Sequence, residues 1–129
     1  MSDHPTVFPT MAYRDPDSAI EFLQRTFGAE SHAIYRDESG RVRHAELRLG
    51  NGMVMFGPAE AAQGGGVYVV VPDIDGHCAR ARRAGAEIVR EPNDTDYGSR
   101  EYGARDPEGL AWHFGTYQPF EVAGTTPTT

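Results

Sequence analysis

The sequence is short of several things that would narrow its chemistry. It holds one cysteine, Cys78, so no disulfide can close within the chain and a cysteine-based zinc cluster is excluded. Cys78 falls among apolar neighbours in a predicted helix, where a small buried hydrophobe is a plainer reading than a nucleophile. Lysine is absent: all 12 basic residues are arginine, set against 19 acidic ones. The net charge of −7 argues against a nucleic-acid partner, because such binding rests on cations that neutralise phosphates. No apolar run approaches the ~20 residues of a membrane span, and no signal peptide precedes Pro5. The expected location is the cytoplasm, away from membranes.

What is present is a near-duplication. Gly28-Ala29-Glu30 returns as Gly85-Ala86-Glu87, an offset of 57 residues. Phe56-Gly57 returns as Phe114-Gly115, and Asp15-Pro16-Asp17 as Asp73-Ile74-Asp75, both at an offset of 58. Three pairs in one order at one near-constant spacing indicate a duplicated module, not a repeat array. A chain of 129 residues suits one domain with its own core. Two facing modules would enclose a cleft.

Local patterns fill in the modules. Val7 to Tyr13 reads as a strand, interrupted at Pro9. Asp15 to Ser18 supplies cap chemistry for a helix whose apolar face is Ala19, Ile20, Phe22, Leu23 and Phe27, and Gly28 stops it. Strands at 31–36, 41–49 and 53–56 follow, separated by Gly-containing turns. The second unit repeats the order: an apolar strand over Val67 to Val71, read as buried on both faces, a helix over Asp73 to Gly85, then strands at 87–90, about 100–105 and 110–117. Residues 91–99 read as a long irregular loop bordering a site. The expected organisation is module 1 at about 6–57, module 2 at about 66–118, and a flexible tail at 119–129.

The segment Tyr102-Gly-Ala-Arg-Asp106-Pro-Glu-Gly109-Leu-Ala-Trp-His113-Phe-Gly115 and the junction Tyr13-Arg-Asp-Pro-Asp-Ser-Ala-Ile-Glu-Phe22 resemble those of the vicinal oxygen chelate superfamily. That superfamily includes glyoxalase I, extradiol dioxygenases, and fosfomycin and bleomycin resistance proteins. The resemblance implies an α+β fold: two tandem βαβββ modules forming a half-barrel around a central cavity. It also implies a homodimer.

Enzymes of that family hold one divalent metal with His and Glu from the first and last strands of both modules. The ligand position seven residues beyond the turn Asp is His113 here. Its partner at the repeat offset is Met55, and the first-strand positions fall on Phe8 and on Gly66 or Val67. One donor among four implies no standard metal site and no cofactor. The alternative is a relocated divalent-metal cluster of His44, Glu46 and His113, since His44 and Glu46 share a strand face. An ordinary polar strand face explains that pair equally simply. His4, His32 and His77 read as solvated.

Without metal, cavity chemistry falls to aromatic and sulfur side chains. Strand alternation nominates Phe8, Met53, Met55, Tyr68, Tyr102 and His113, with Trp112 nearby and Tyr97 on the loop. Arg100 shares the parity of Tyr102 and would meet an acidic group on a ligand. Such a set suits a flat ligand, although core packing is the plainer role for several members. No catalytic residue stands out beyond His113, an acid or base candidate. The resulting expectation is a small-molecule-binding protein of the bleomycin-resistance type, sequestering an aromatic compound. The alternative is a metal-dependent lyase, isomerase or dioxygenase with relocated ligands.

Overall fold

The computed structural model describes residues 4–121. Most of the expected tail, residues 122–129, lies outside the described residues, while Pro119–Glu121 form a short 3-10 turn. In the first module, β1 (Thr10–Tyr13) leads into α1 (Pro16–Phe27), followed by β2 (Glu30–Arg36), β3 (Val42–Leu49) and β4 (Gly52–Pro58). The second runs β5 (Val67–Val70), α2 (Ile74–Arg83), β6 (Glu87–Asp94), β7 (Arg100–Arg105) and β8 (Ala111–Gly115). Each module makes one four-stranded sheet, ordered β1-β4-β3-β2 and β5-β8-β7-β6. The first strand of each lies parallel to the last and the other pairings are antiparallel. Neither sheet closes into a barrel, and the α+β half-barrel architecture holds.

The helices form where local chemistry starts and stops them. The Asp15 carboxylate accepts the Ser18 N–H at 3.2 Å, and the Asp73 carboxylate accepts that of Gly76 at 3.0 Å, each satisfying a donor that the helix leaves free. Gly28 ends α1 at φ 77°, a left-handed conformation that a side chain would resist. The buried stripe of α1 includes Ile20, Leu23 and Phe27, and burying a side chain of that size contributes about 1.5–3 kcal/mol. Phe27 reaches into the other module, its ring 4.8 Å from Phe114 and 5.4 Å from Trp112. One core therefore spans both sheets.

The turn at Asp106 fastens the modules together. Buried Asp106 accepts hydrogen bonds from the Tyr13 hydroxyl at 2.6 Å and from Trp112 Nε1 at 3.1 Å. Its other oxygen accepts the backbone N–H groups of Glu108 and Leu110. Glu108 accepts the N–H groups of Arg14 at 2.7 Å and Asp15 at 2.9 Å, just ahead of α1. Burial, reinforced by the Asp106 carboxylate, pushes the Tyr13 phenol far above its usual range.

Several boundaries differ from the sequence reading. β1 starts only at Thr10, after Pro9. β6 runs on to Asp94, because Asn93 and Asp94 pair with Glu101 and Arg100 beyond a register shift around Pro92, leaving only a tight turn at 95–99. β5 is an edge strand: Val67 is buried, but Tyr68 and Val70 are 38% and 40% exposed, so it is not covered on both faces.

Candidate functional site

Strand alternation divides the second sheet into a face under the helices and an open face. Trp112 and Phe114 of β8, with Tyr102 and Ala104 of β7, point to the helices and are fully buried. The intervening residues occupy the open face in fixed register. Tyr68 pairs with His113, His113 with Gly103, and Gly115 with Glu101. Arg90, across from Gly103 on β6, joins them past the register shift.

Tyr68, Arg90, Glu101 and His113, with Tyr97, Tyr117 and Pro119 beside them, line a concave cavity of about 630 Å³. Tyr68, Tyr97 and Tyr117 supply rings, and His113, Arg90 and Glu101 supply polar groups. The Tyr68 hydroxyl donates to the Tyr117 carbonyl at 2.9 Å. The Tyr97 hydroxyl donates to Glu101 Oε2 at 2.9 Å, and its ring meets Tyr117 edge-on at 6.0 Å. Burial raises the Tyr68 phenol, and the hydrogen bond to Glu101 raises that of Tyr97. Gly115 makes room for this arrangement: a Cβ there would sit 2.9 Å from Glu101 Cγ and collide with the Tyr68 hydroxyl. Gly103 lets Val89, Arg90 and His113 close over the strand: a Cβ there would stand 3.6 Å from Val89 Cγ2 and 3.7 Å from Arg90 Cβ and His113 Nδ1. The His113 imidazole has no hydrogen-bond partner among the described residues.

The other nominated residues are elsewhere. Tyr102 and Trp112 do not face the cavity; they pack beneath the helices, Tyr102 bonded to His77 Nδ1 at 2.6 Å and Trp112 to Asp106. Arg100 does share the parity of Tyr102, and that turns it towards α2, where Asp75 holds it at 3.0 Å together with Asp94 of β6 at 3.1 Å. Phe8 and Met53 line a separate cavity of about 540 Å³ with His32 and Arg48. Met55 lies on the open face of the first sheet between Thr10 and Glu46. His77 is not solvated: it is half-buried against Phe27 and Phe114, and burial lowers its pKa. Of the nominated set, Tyr68, Tyr97 and His113 come together. Glu101, Arg90 and Tyr117 were missed, though register with His113 and Gly115 places Glu101 on their face.

The residues present do not fit a divalent metal of the family kind. Such a site needs three or four convergent donors. His113 is flanked on its face by Tyr68 and Gly103, and no group of three or more His, Cys, Asp or Glu residues converges among the described residues. His44 and Glu46 bond each other at 2.9 Å on the first sheet and do not line the His113 cavity.

Known proteins share this architecture. TioX from Micromonospora sp. ML1 is 35% identical, with a TM-score of 0.78, over 91% of this chain and all of that one. UcmS2 shares 16% identity at a TM-score of 0.72 over 90% of this chain and 100% of its own, a likeness of fold. An uncharacterized protein of Mycobacterium tuberculosis H37Rv is 28% identical over 125 residues, which span 86% of this chain and 74% of that protein. The family model that matches residues 3–114 is described as Glyoxalase/Bleomycin resistance protein/Dioxygenase superfamily. With its paired βαβββ modules, the chain belongs to that superfamily.

Proposed function

We propose that the protein binds a flat aromatic small molecule on the open face of its second sheet and acts by sequestering it, without metal. The carrying observation is the cup itself: Tyr68, Tyr97 and Tyr117 around an imidazole, His113, that has no hydrogen-bond partner among the described residues. Aromatic walls favour planar rings through stacking, and the volume suits a drug-sized ligand. His113 lacks a hydrogen-bonded carboxylate to orient it, which favours a binding role over proton transfer. The relocated-ligand enzyme is disfavoured because His44 and Glu46 belong to the other sheet.

This function is exerted in the cytoplasm by a homodimer, a reading that rests on the family's habit of pairing. The exposure of Tyr35 and Val89, at 57% and 47%, leaves apolar surface on both modules for a second copy to cover. The test is a thermal-shift screen of planar aromatic compounds, with affinities of the hits then measured by calorimetry. Tyr68→Ala should weaken binding by about tenfold, on the order of 1.4 kcal/mol, and dialysis against a chelator should change nothing. Binding that disappears with the chelator, or that ignores Tyr68→Ala, overturns the reading.

A further inference from the structure

Two carboxylates are buried among the described residues, Glu101 and Asp106, and their surroundings differ. Asp106 is met by four donors and ties the modules together. Glu101 has a carboxylate with about four acceptor positions, of which Tyr97 and Arg90 take two. Neither donor is locked in place. Tyr97 stands on an exposed turn, and Arg90 makes a long contact of 3.4 Å from a side chain that is 44% exposed. The Glu101 side chain is only 8% exposed, held between the Gly115 notch and the cup wall.

We propose that Glu101 sets the ligand class of this cup, selecting planar aromatic compounds that carry a protonated or N–H-bearing nitrogen; the inference rests on the binding reading above. A buried carboxylate with spare acceptor capacity gains most from a donor that arrives dry, wrapped in the ligand's ring system. Arg90 does not reverse the preference. Its exposed guanidinium can swing into water when a ligand cation replaces it, whereas Glu101 cannot leave when an anion approaches Arg90. An anion would therefore meet a fixed like charge. The net charge of −7 adds a long-range bias in the same direction.

Three ring probes of similar shape test this: 9-aminoacridine, a cation at neutral pH; 9-anthracenemethanol, neutral; and anthracene-9-carboxylate, an anion. Fluorescence titration of the wild-type protein should place the cation at least about tenfold tighter than the anion, with the neutral probe between. Glu101→Gln keeps the side chain's shape and an acceptor for Tyr97, and should abolish the preference of cation over anion. Arg90→Met, at an exposed position, should tighten the cation several-fold by removing its competitor. Binding of all three probes without charge preference overturns the role of Glu101 alone, as does a preference that survives Glu101→Gln or a tighter anion. Failure of every probe to bind overturns this inference together with the aromatic cup.

Discussion

His77 joins the end of α1 to the second sheet through contacts that favour its neutral form. Its ring lies within 14° of the Phe27 plane, and Nδ1 meets the Tyr102 hydroxyl. Burial lowers its pKa, Arg80 adds to the effect, and a hydrogen bond to the Phe27 backbone and the Asp73 carboxylate oppose it. The unfolded chain therefore takes up this proton more readily than the folded one. Its contribution to stability is complete above the unfolded imidazole value of about 6.5 and is lost as pH falls through the lower folded value. Urea midpoints should drop between about pH 7 and about pH 5, and the drop should be shallower in His77→Gln. Equal slopes in the two proteins would remove His77 as the cause. Nothing local announces this histidine. It sits in a weakly apolar, arginine-rich helix, and its burial comes from the seat of α2 over Tyr102 and Phe114, a tertiary fact. The same holds for Tyr102 and Trp112: their aromatic character was legible, but the face they occupy depends on register with the rest of the sheet.

At the scale of elements, the helices were the most readable part of the chain because their ends are written in residue chemistry. Asp15, Asp73 and Gly28 each do the capping work that their residue types suggest. Gly28→Ala would place a side chain at φ 77° and bring its Cβ within 3.2 Å of Arg80 Nη1. It should lower stability by about 1 kcal/mol in urea unfolding with no loss of ligand affinity; a neutral result would show that the helix end relaxes freely. Strand limits were less legible. Around Pro92 the ladder breaks register and then resumes, which no alternation pattern foretells. β5 carries an apolar run, yet as an edge strand it leaves Tyr68 and Val70 facing outward. That misreading bears directly on the proposed binding, since Tyr68 owes its place in the cup to the open side of β5.

For the molecule as a whole, the repeat was legible from short matched segments, and the fold from the resemblance carried by the segments Tyr13 to Phe22 and Tyr102 to Gly115. The site was not, because its residues come from four strands, a turn and the chain following β8, and only pairing brings them together. The repeat offset did mark Met55 and His113 as equivalent positions, and their chemical difference leaves a donor at one of the two and none at the other. The modules share one core and one buried junction, so they should unfold as a unit. Asp106→Ala would strand the Tyr13 hydroxyl and Trp112 Nε1 without an acceptor and should cost about 3–5 kcal/mol. In the wild-type protein, Trp112 fluorescence and far-UV circular dichroism should report coincident urea transitions. Separate transitions would mean that the Asp106 junction does not couple the halves.

The notch at Gly115 has a consequence for how the cup would grip. With its hydroxyl lodged there and bonded to the Tyr117 carbonyl, Tyr68 acts as a fixed jaw, oriented before anything arrives. Tyr97, out on its turn and held mainly through Glu101, is the movable jaw. A vice of this kind tolerates variation in the thickness of what it clamps but little variation in tilt, because the fixed jaw dictates the plane. Rigid, coplanar ring systems should therefore fit across a range of substituents, while twisted biaryls of equal area are turned away.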